Sequence, residues 1–307
     1  MRRIWTGCLL ALLIPYVVTL VWSGSIRGEQ QKQMAVVSGK RIALDGECTG
    51  YVDAEEYLIG MVGRQMPPDY GAEALKAQAV VARTYIYKKM GDSDEINESE
   101  LGITYIEESG LEKLWGSEKF VEYYEAIGDA VKATAGVVMT YEDEEIDALY
   151  HRASAGMTRA GDEHHPYLEP VESRRDVEAE NYLSVMNWPA ETFVSKLKEL
   201  GEDTELTVSQ VPESIQMIEK DGAGYVGKIQ IGNHIYTGEE VSKALGLASS
   251  CFTLEGYEGQ IRAVCKGIGH GYGLSQYGAK MMGEEGYSWE DILNYYYKDI
   301  VIQPCHS

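Results

Sequence analysis

The sequence predicts an α+β protein, with helices and short strands mixed without βαβ regularity, behind a single N-terminal membrane-spanning helix. Three observations lead there. Apolar runs of helical period alternate with short β-branched and aromatic runs, turn residues separate them at irregular intervals, and the first two dozen residues are almost uninterruptedly apolar.

Bulk properties narrow the function. Acidic residues outnumber basic ones 49 to 27, a formal net charge of -22, so a nucleic acid would meet repulsion and is excluded as a partner. The apolar fraction of 44% belongs to a chain with a packed core. Tyrosines number 22 against 3 phenylalanines, which suits core edges as well as surfaces both apolar and wet, such as sugar-binding clefts.

Residues 1–24 carry Arg2 and Arg3 ahead of the apolar run Ile4 to Trp22, long enough to cross a bilayer. The flanking charges keep the N-terminus cytoplasmic, and no Ala-x-Ala site follows, so an uncleaved anchor is favoured over a signal peptide. The protein is therefore expected in the cell membrane, single-pass, with the rest of the chain extracytoplasmic. Residues 25–47 read as a polar tether and a first strand, residues 48–302 as one domain without a convincing internal linker, and residues 303–307 as a tail.

A strand is expected at Lys40 to Leu44, and Asp53-Ala-Glu-Glu56 opens a helix whose buried face is Tyr57, Leu58, Met61 and Val62. Pro67 and Pro68 end it. A second helix starts near Gly71, with Ala72, Leu75, Ala79, Ala82 and Ile86 along one face and Lys76 and Arg83 elsewhere. Gly91 to Glu100 reads as a surface loop, Phe120 to Ala133 as a helix, and VVMTY and IDALY around EDEE as a hairpin. The stretch HRASAGMTRAGDEHHPYLEPVES is too rich in small and polar residues to be regular. PAETFVSKLKEL is helical, strands follow near Ile215 to Ile218 and Val226 to Ile231, and Thr237 with Glu240 caps a helix to Leu245. Cys251 and Cys265 flank a hairpin, as a cross-strand disulfide or as packed thiols. Ser288 with Asp291 caps the last helix.

Four glycines alternate at Gly267, Gly269, Gly271 and Gly273 around His270. Their spacing does not fit a phosphate-binding loop; it permits close backbone approach to a strand or ligand. His151, His164 and His165 gather with Asp162 and Glu163, but without HExxH or CxxC no metal site and no cofactor is implied. Ser154 and Ser275 lack the GxSxG elbow of a serine hydrolase.

In combination, YLIGMVGRQMPPDYGAEALKAQAVVARTY, ALYHRASAGMTRA with PYLEPVES, TGEEVSKALGLASSCFTLE and GIGHGYGLSQYGAKMMGEEGYSWEDILNYYYKDI resemble the stage II sporulation protein D family, in its order and across roughly residues 48 to 302. The resemblance implies a membrane-anchored lytic transglycosylase that cuts peptidoglycan glycan strands during forespore engulfment, beside a cell-wall amidase and engulfment membrane proteins. It implies a single glutamic acid as acid and then base, giving 1,6-anhydro-N-acetylmuramic ends. That residue precedes Met-Pro in the family; here the position is Gln65. The same resemblance implies Lys76, Arg83, His151, Ser154, His270, Ser275, Gln276 and Tyr277 as glycan-binding residues. An amide cannot deliver a proton at neutral pH, so the alternative is a glycan-binding pseudoenzyme that recruits or stimulates an amidase.

Overall fold

The computed structural model describes residues 38–45, 50–103, 106–201 and 206–305. The apolar run Ile4 to Trp22 and Cys48 lie outside the described residues. Among those described, no helix is long and apolar enough to cross a membrane.

The fold is α+β, as the pattern predicts, and its centre is one helix. α1 (Ala54–Gln65) starts at Asp53, whose side chain accepts from the Glu55 N–H. It ends at Met66, where the chain turns extended and the Pro-Pro pair forbids another turn. α2 (Ala72–Met90) follows a short turn and is buried on almost every side, not along the single expected face. Its alanines explain the difference: small side chains let several elements approach one helix at once. Against it pack α1, the helix Ser117–Ala133 and a five-residue strand, Val137–Tyr141, while β1 (Arg41–Leu44) lies against α1.

The acidic stretch expected to be a loop is ordered. β2 (Gly50–Asp53) pairs antiparallel with β1, and β3 (Glu95–Asn97) pairs with β1 in parallel, burying Ile96. One apolar residue in a three-residue strand leaves too little alternation to be recognised in sequence. The expected hairpin also closes early. Glu142 and Asp143 take positive φ, and Val137–Tyr141 pairs with only Glu144–Glu145. Its longer partner is Val301–Pro304, so the presumed tail from residue 303 begins inside a strand. Tyr150–His151 instead pairs in parallel with Leu274–Ser275, which joins the HRASAG stretch to the glycine-rich loop.

A second apolar core occupies residues 183–266, built on Phe193, Leu197, Ile229, Leu245, Phe252 and Ile261. Two three-stranded antiparallel sheets make it: Ile215–Lys220, Val226–Ile231 and His234–Thr237 form one, and Leu183–Pro189, Phe252–Tyr257 and Gln260–Lys266 the other. The helices Ala190–Lys198 and Gly238–Leu245 cover them. Arg159 ties this lobe to the rest, bonding Asp221 at 2.6 Å and Glu239, with its guanidinium over the rings of Tyr225 and Tyr272. Cys251 and Cys265 form no disulfide. Both thiols are buried, Cys251 Sγ against the Gly224 carbonyl and Cys265 Sγ beside Ser249, so the packed alternative holds.

Candidate functional site

Gln65 sits at the end of α1, partly exposed, and its side chain is held by a chain of amides. Gln78 Nε2, from α2, donates to Gln65 Oε1 at 2.8 Å. Gln276 Nε2 donates to the Gln65 backbone carbonyl at 2.9 Å and to Gln78 Oε1 at 3.3 Å. Gln78 is fully buried and Gln276 nearly so, so neither amide has water to compete with these bonds. With the amide oxygen taken by Gln78, the Gln65 NH2 is the end left to meet a ligand. Gln78 escaped the sequence reading; the signal was a lone amide flanked by Ala77, Ala79, Val80 and Val81.

The glycine-rich loop delivers Gln276 and Tyr277. All four alternating glycines take positive φ. Gly273 decides the case: a Cβ there would lie 1.9 Å from the Leu149 carbonyl oxygen, at a φ of +67°. Gly273→Ala is therefore expected to cost about 3 kcal/mol or more by combining overpacking with backbone strain, read as a lowered denaturation midpoint. The loop's close approach is to the HRASAG backbone, through the Ala153 and Ile268 bridge.

Asp176 locks the same loops from below. It is 0% exposed; Oδ2 accepts from the Ser154 N–H and hydroxyl, each at 2.6 Å, and Oδ1 accepts from the Ser275 hydroxyl at 2.9 Å. Burial pushes its carboxyl above the usual range, and the bonds from Ser154, Ser275 and Ser173 pull it back. Ser275 also caps the helix Gln276–Glu284 through the Gly278 N–H. Ser154 and Ser275, expected at the glycan, are thus inward-facing partners of a carboxylate that nothing in the sequence pattern singled out.

The remaining candidates divide. Arg83 is 0% exposed and grips Glu55 bidentately at 2.7 and 2.6 Å while reaching Thr134 and the carbonyls of Val131 and Val137. This corrects its place in a glycan cleft: every donor is engaged inside the core. Lys76 pairs with Glu73 at 2.7 Å and stays accessible. His151 is buried, its Nδ1 against the Tyr272 carbonyl at 3.0 Å, and its Nε2 has no partner. His270 lies 5.9 Å away ring to ring and accepts from the Tyr272 N–H at Nδ1. Tyr277 is half-buried, edge-on to Tyr70 at 6.1 Å, and its N–H donates to the Arg152 carbonyl.

Burial holds the His151 imidazole down to about 3 and lowers His270 too, assisted there by Arg159. The unfolded chain takes a proton on His151 below about 6.5 that the folded chain refuses until about 3, so stability is full above 6.5 and falls as pH drops through that window. Denaturant midpoints from pH 7.5 to 4 should show this loss, up to about 1.4 kcal/mol per pH unit. His151→Phe should make the slope shallower, leaving the share that His270 contributes; an unchanged slope would count against the buried neutral imidazole.

Glu55, Glu56 and Glu73 do not take Gln65's place. Glu55 is spent on Arg83, and Glu73 binds both Lys76 and the Trp289 N–H. Glu56 is exposed nine residues back, about 14 Å along the helix axis. Among the described residues no group of three or more His, Cys, Asp or Glu side chains is arranged to hold a metal ion; His164 lies by Glu163, and His165 pairs with Asp162 and Asp147.

A family model described as a stage II sporulation protein matches residues 47–141. The chain is 31% identical to stage II sporulation protein D of Bacillus amyloliquefaciens, over 83% of this chain and 76% of that protein. The chain belongs to the stage II sporulation protein D family. The Bacillus subtilis protein of the same name is 30% identical with the same coverage. A Bacillus subtilis protein named amidase enhancer is 25% identical over 78% of this chain and 39% of its own length. The match to the family model contains α1, Gln65 and α2, so Gln65 lies within the segment that carries the family signature.

Proposed function

We propose that this member of the stage II sporulation protein D family is a membrane-anchored, extracytoplasmic protein that binds peptidoglycan glycan strands without cutting them, beside a cell-wall amidase and engulfment membrane proteins. The observation that carries the reading is Gln65 in its amide chain, with Glu55 held by Arg83 and Glu73 by Lys76 and the Trp289 N–H. Transglycosylation needs one group that gives a proton to the glycosidic oxygen and then takes one from the 6-hydroxyl. A primary amide does neither at neutral pH. It donates a hydrogen bond, which suits holding a glycosidic or acetyl oxygen.

The name of the relative called amidase enhancer supports a role that needs no bond cleavage by the chain itself. Membrane attachment through Ile4 to Trp22 would confine that role to wall close to the bilayer. Full-length protein in detergent should sediment with purified sacculi and accelerate stem-peptide release by an added amidase. Protein that stays in the supernatant would sink the glycan-binding reading; sedimentation without acceleration would remove the amidase from it.

A further inference from the structure

In a chain of net charge -22, arginines should find carboxylates easily, and most do. Arg41, Arg83, Arg159, Arg174, Arg175 and Arg262 each pair with one. Among the described residues Arg64 and Arg152 do not, and both border Gln65. Arg64 precedes it on α1 with an exposed side chain. Arg152 follows His151, and its backbone carbonyl receives the N–H of Tyr277, next to the Gln276 that binds Gln65.

A lysine joins them. Lys280 Nζ lies 5.4 Å from the ring centroids of both Tyr70 and Tyr277, and the Arg152 guanidinium lies 5.2 Å from the Tyr70 centroid. Two cations thus gather at one tyrosine. The acids that face them are weakly placed: Glu284 is 3.8 Å from Lys280 and more than half exposed, and Asp69 is exposed in the turn before Tyr70. Like charges brought together repel, and the rings of Tyr70, 8% exposed, and half-buried Tyr277 offset only part of that. An anion between them would remove the repulsion and gain charge-assisted hydrogen bonds.

We propose that Arg152 and Lys280 form an anion subsite beside Gln65 that takes a carboxylate of the bound saccharide, with Arg64 adding to the local field. The inference rests on the glycan-binding reading above and sharpens it to acidic rather than neutral saccharides. Two sources supply a carboxylate on a wall strand: the lactyl group of N-acetylmuramic acid where no peptide is attached, and the peptide itself where one is. The neutral hydrogen-bonding end of Gln65 then holds an uncharged oxygen of the same sugar unit.

The test uses full-length protein and four oligosaccharides of matched length: unsubstituted N-acetylglucosamine–N-acetylmuramic acid chains, the same chains with each lactyl carboxyl converted to a methylamide, peptide-bearing chains, and chitin oligosaccharide. The acid form should bind roughly tenfold more tightly than the methylamide, the scale of one charge-assisted contact. Arg152→Gln and Lys280→Gln should each remove most of that difference, with Arg152→Lys retaining part; a denaturation midpoint equal to wild type shows that the loss is one of binding and not of the fold. Tight binding by peptide-bearing chains alone would place the carboxylate on the peptide. Equal affinity for acid, methylamide and chitin chains would overturn the subsite while leaving glycan binding intact, and no binding to any would overturn both.

Discussion

If the proposed function holds, Gln65→Glu should give the protein transglycosylase activity, with release of soluble fragments from labelled sacculi rising by about 10²- to 10⁴-fold over wild type. The substitution changes one NH2 to an oxygen at the partly exposed end of α1, and the donor that would receive the new carboxylate is already in place. Gln78 Nε2 reaches position 65 at 2.8 Å and would stabilise the charged form. A donor to the ionised state lowers the pKa of a carboxyl, whereas the acid step needs the proton on. The variant's rate should accordingly fall as pH rises toward neutral. Adding Gln78→Leu removes that donor, so the optimum should move to higher pH. A gain with no pH displacement between the two variants would show that Gln78 does not tune this position.

Arg83→Met should be among the most destabilising single changes in the chain. It leaves Glu55, 3% exposed, as an uncompensated charge in the first turn of α1, and removal of one partner of a buried pair costs about 3 to 5 kcal/mol. Thr134 and the carbonyls of Val131 and Val137 lose their donor as well. The double change Glu55→Leu with Arg83→Met removes the stranded charge and should recover a large part of the loss. Chemical denaturation of the full-length chain measures both. If the single and double variants were equally destabilised, the stranded charge would not be the cause.

Those two residues also mark what sequence could and could not reveal. The elements with strong local signals were legible: the Asp53 cap, the Pro67-Pro68 break, the Thr237 and Ser288 capping boxes and the Phe252–Lys266 hairpin all stand where their chemistry puts them. So was the joint at Gln65, through family resemblance. Long-range partners were not. Arg83 and Glu55 are 28 residues apart, and Ser275 and Asp176 are 99 apart, so nothing in either neighbourhood marks them as pairs. Short polar residues that resemble a site, Ser154 and Ser275, prove to serve a buried carboxylate. The cations with no carboxylate partner, Arg64 and Arg152, carry no local pattern at all; only the pairing of every other described arginine makes them visible. Strands of two or three residues, such as Glu95–Asn97 and Tyr150–His151, exist because a neighbour is waiting, and their own sequences are too short to show a period.

The central claim is that this protein holds a glycan strand at Gln65 and leaves the bond intact. Mass spectrometry of material released from sacculi by the wild-type chain, with Gln65→Glu run beside it, tests that claim most directly. The wild type should yield no 1,6-anhydro-N-acetylmuramic ends above the level of untreated sacculi, while the variant yields them. Anhydro ends from the wild type in amounts equal to the variant would contradict it.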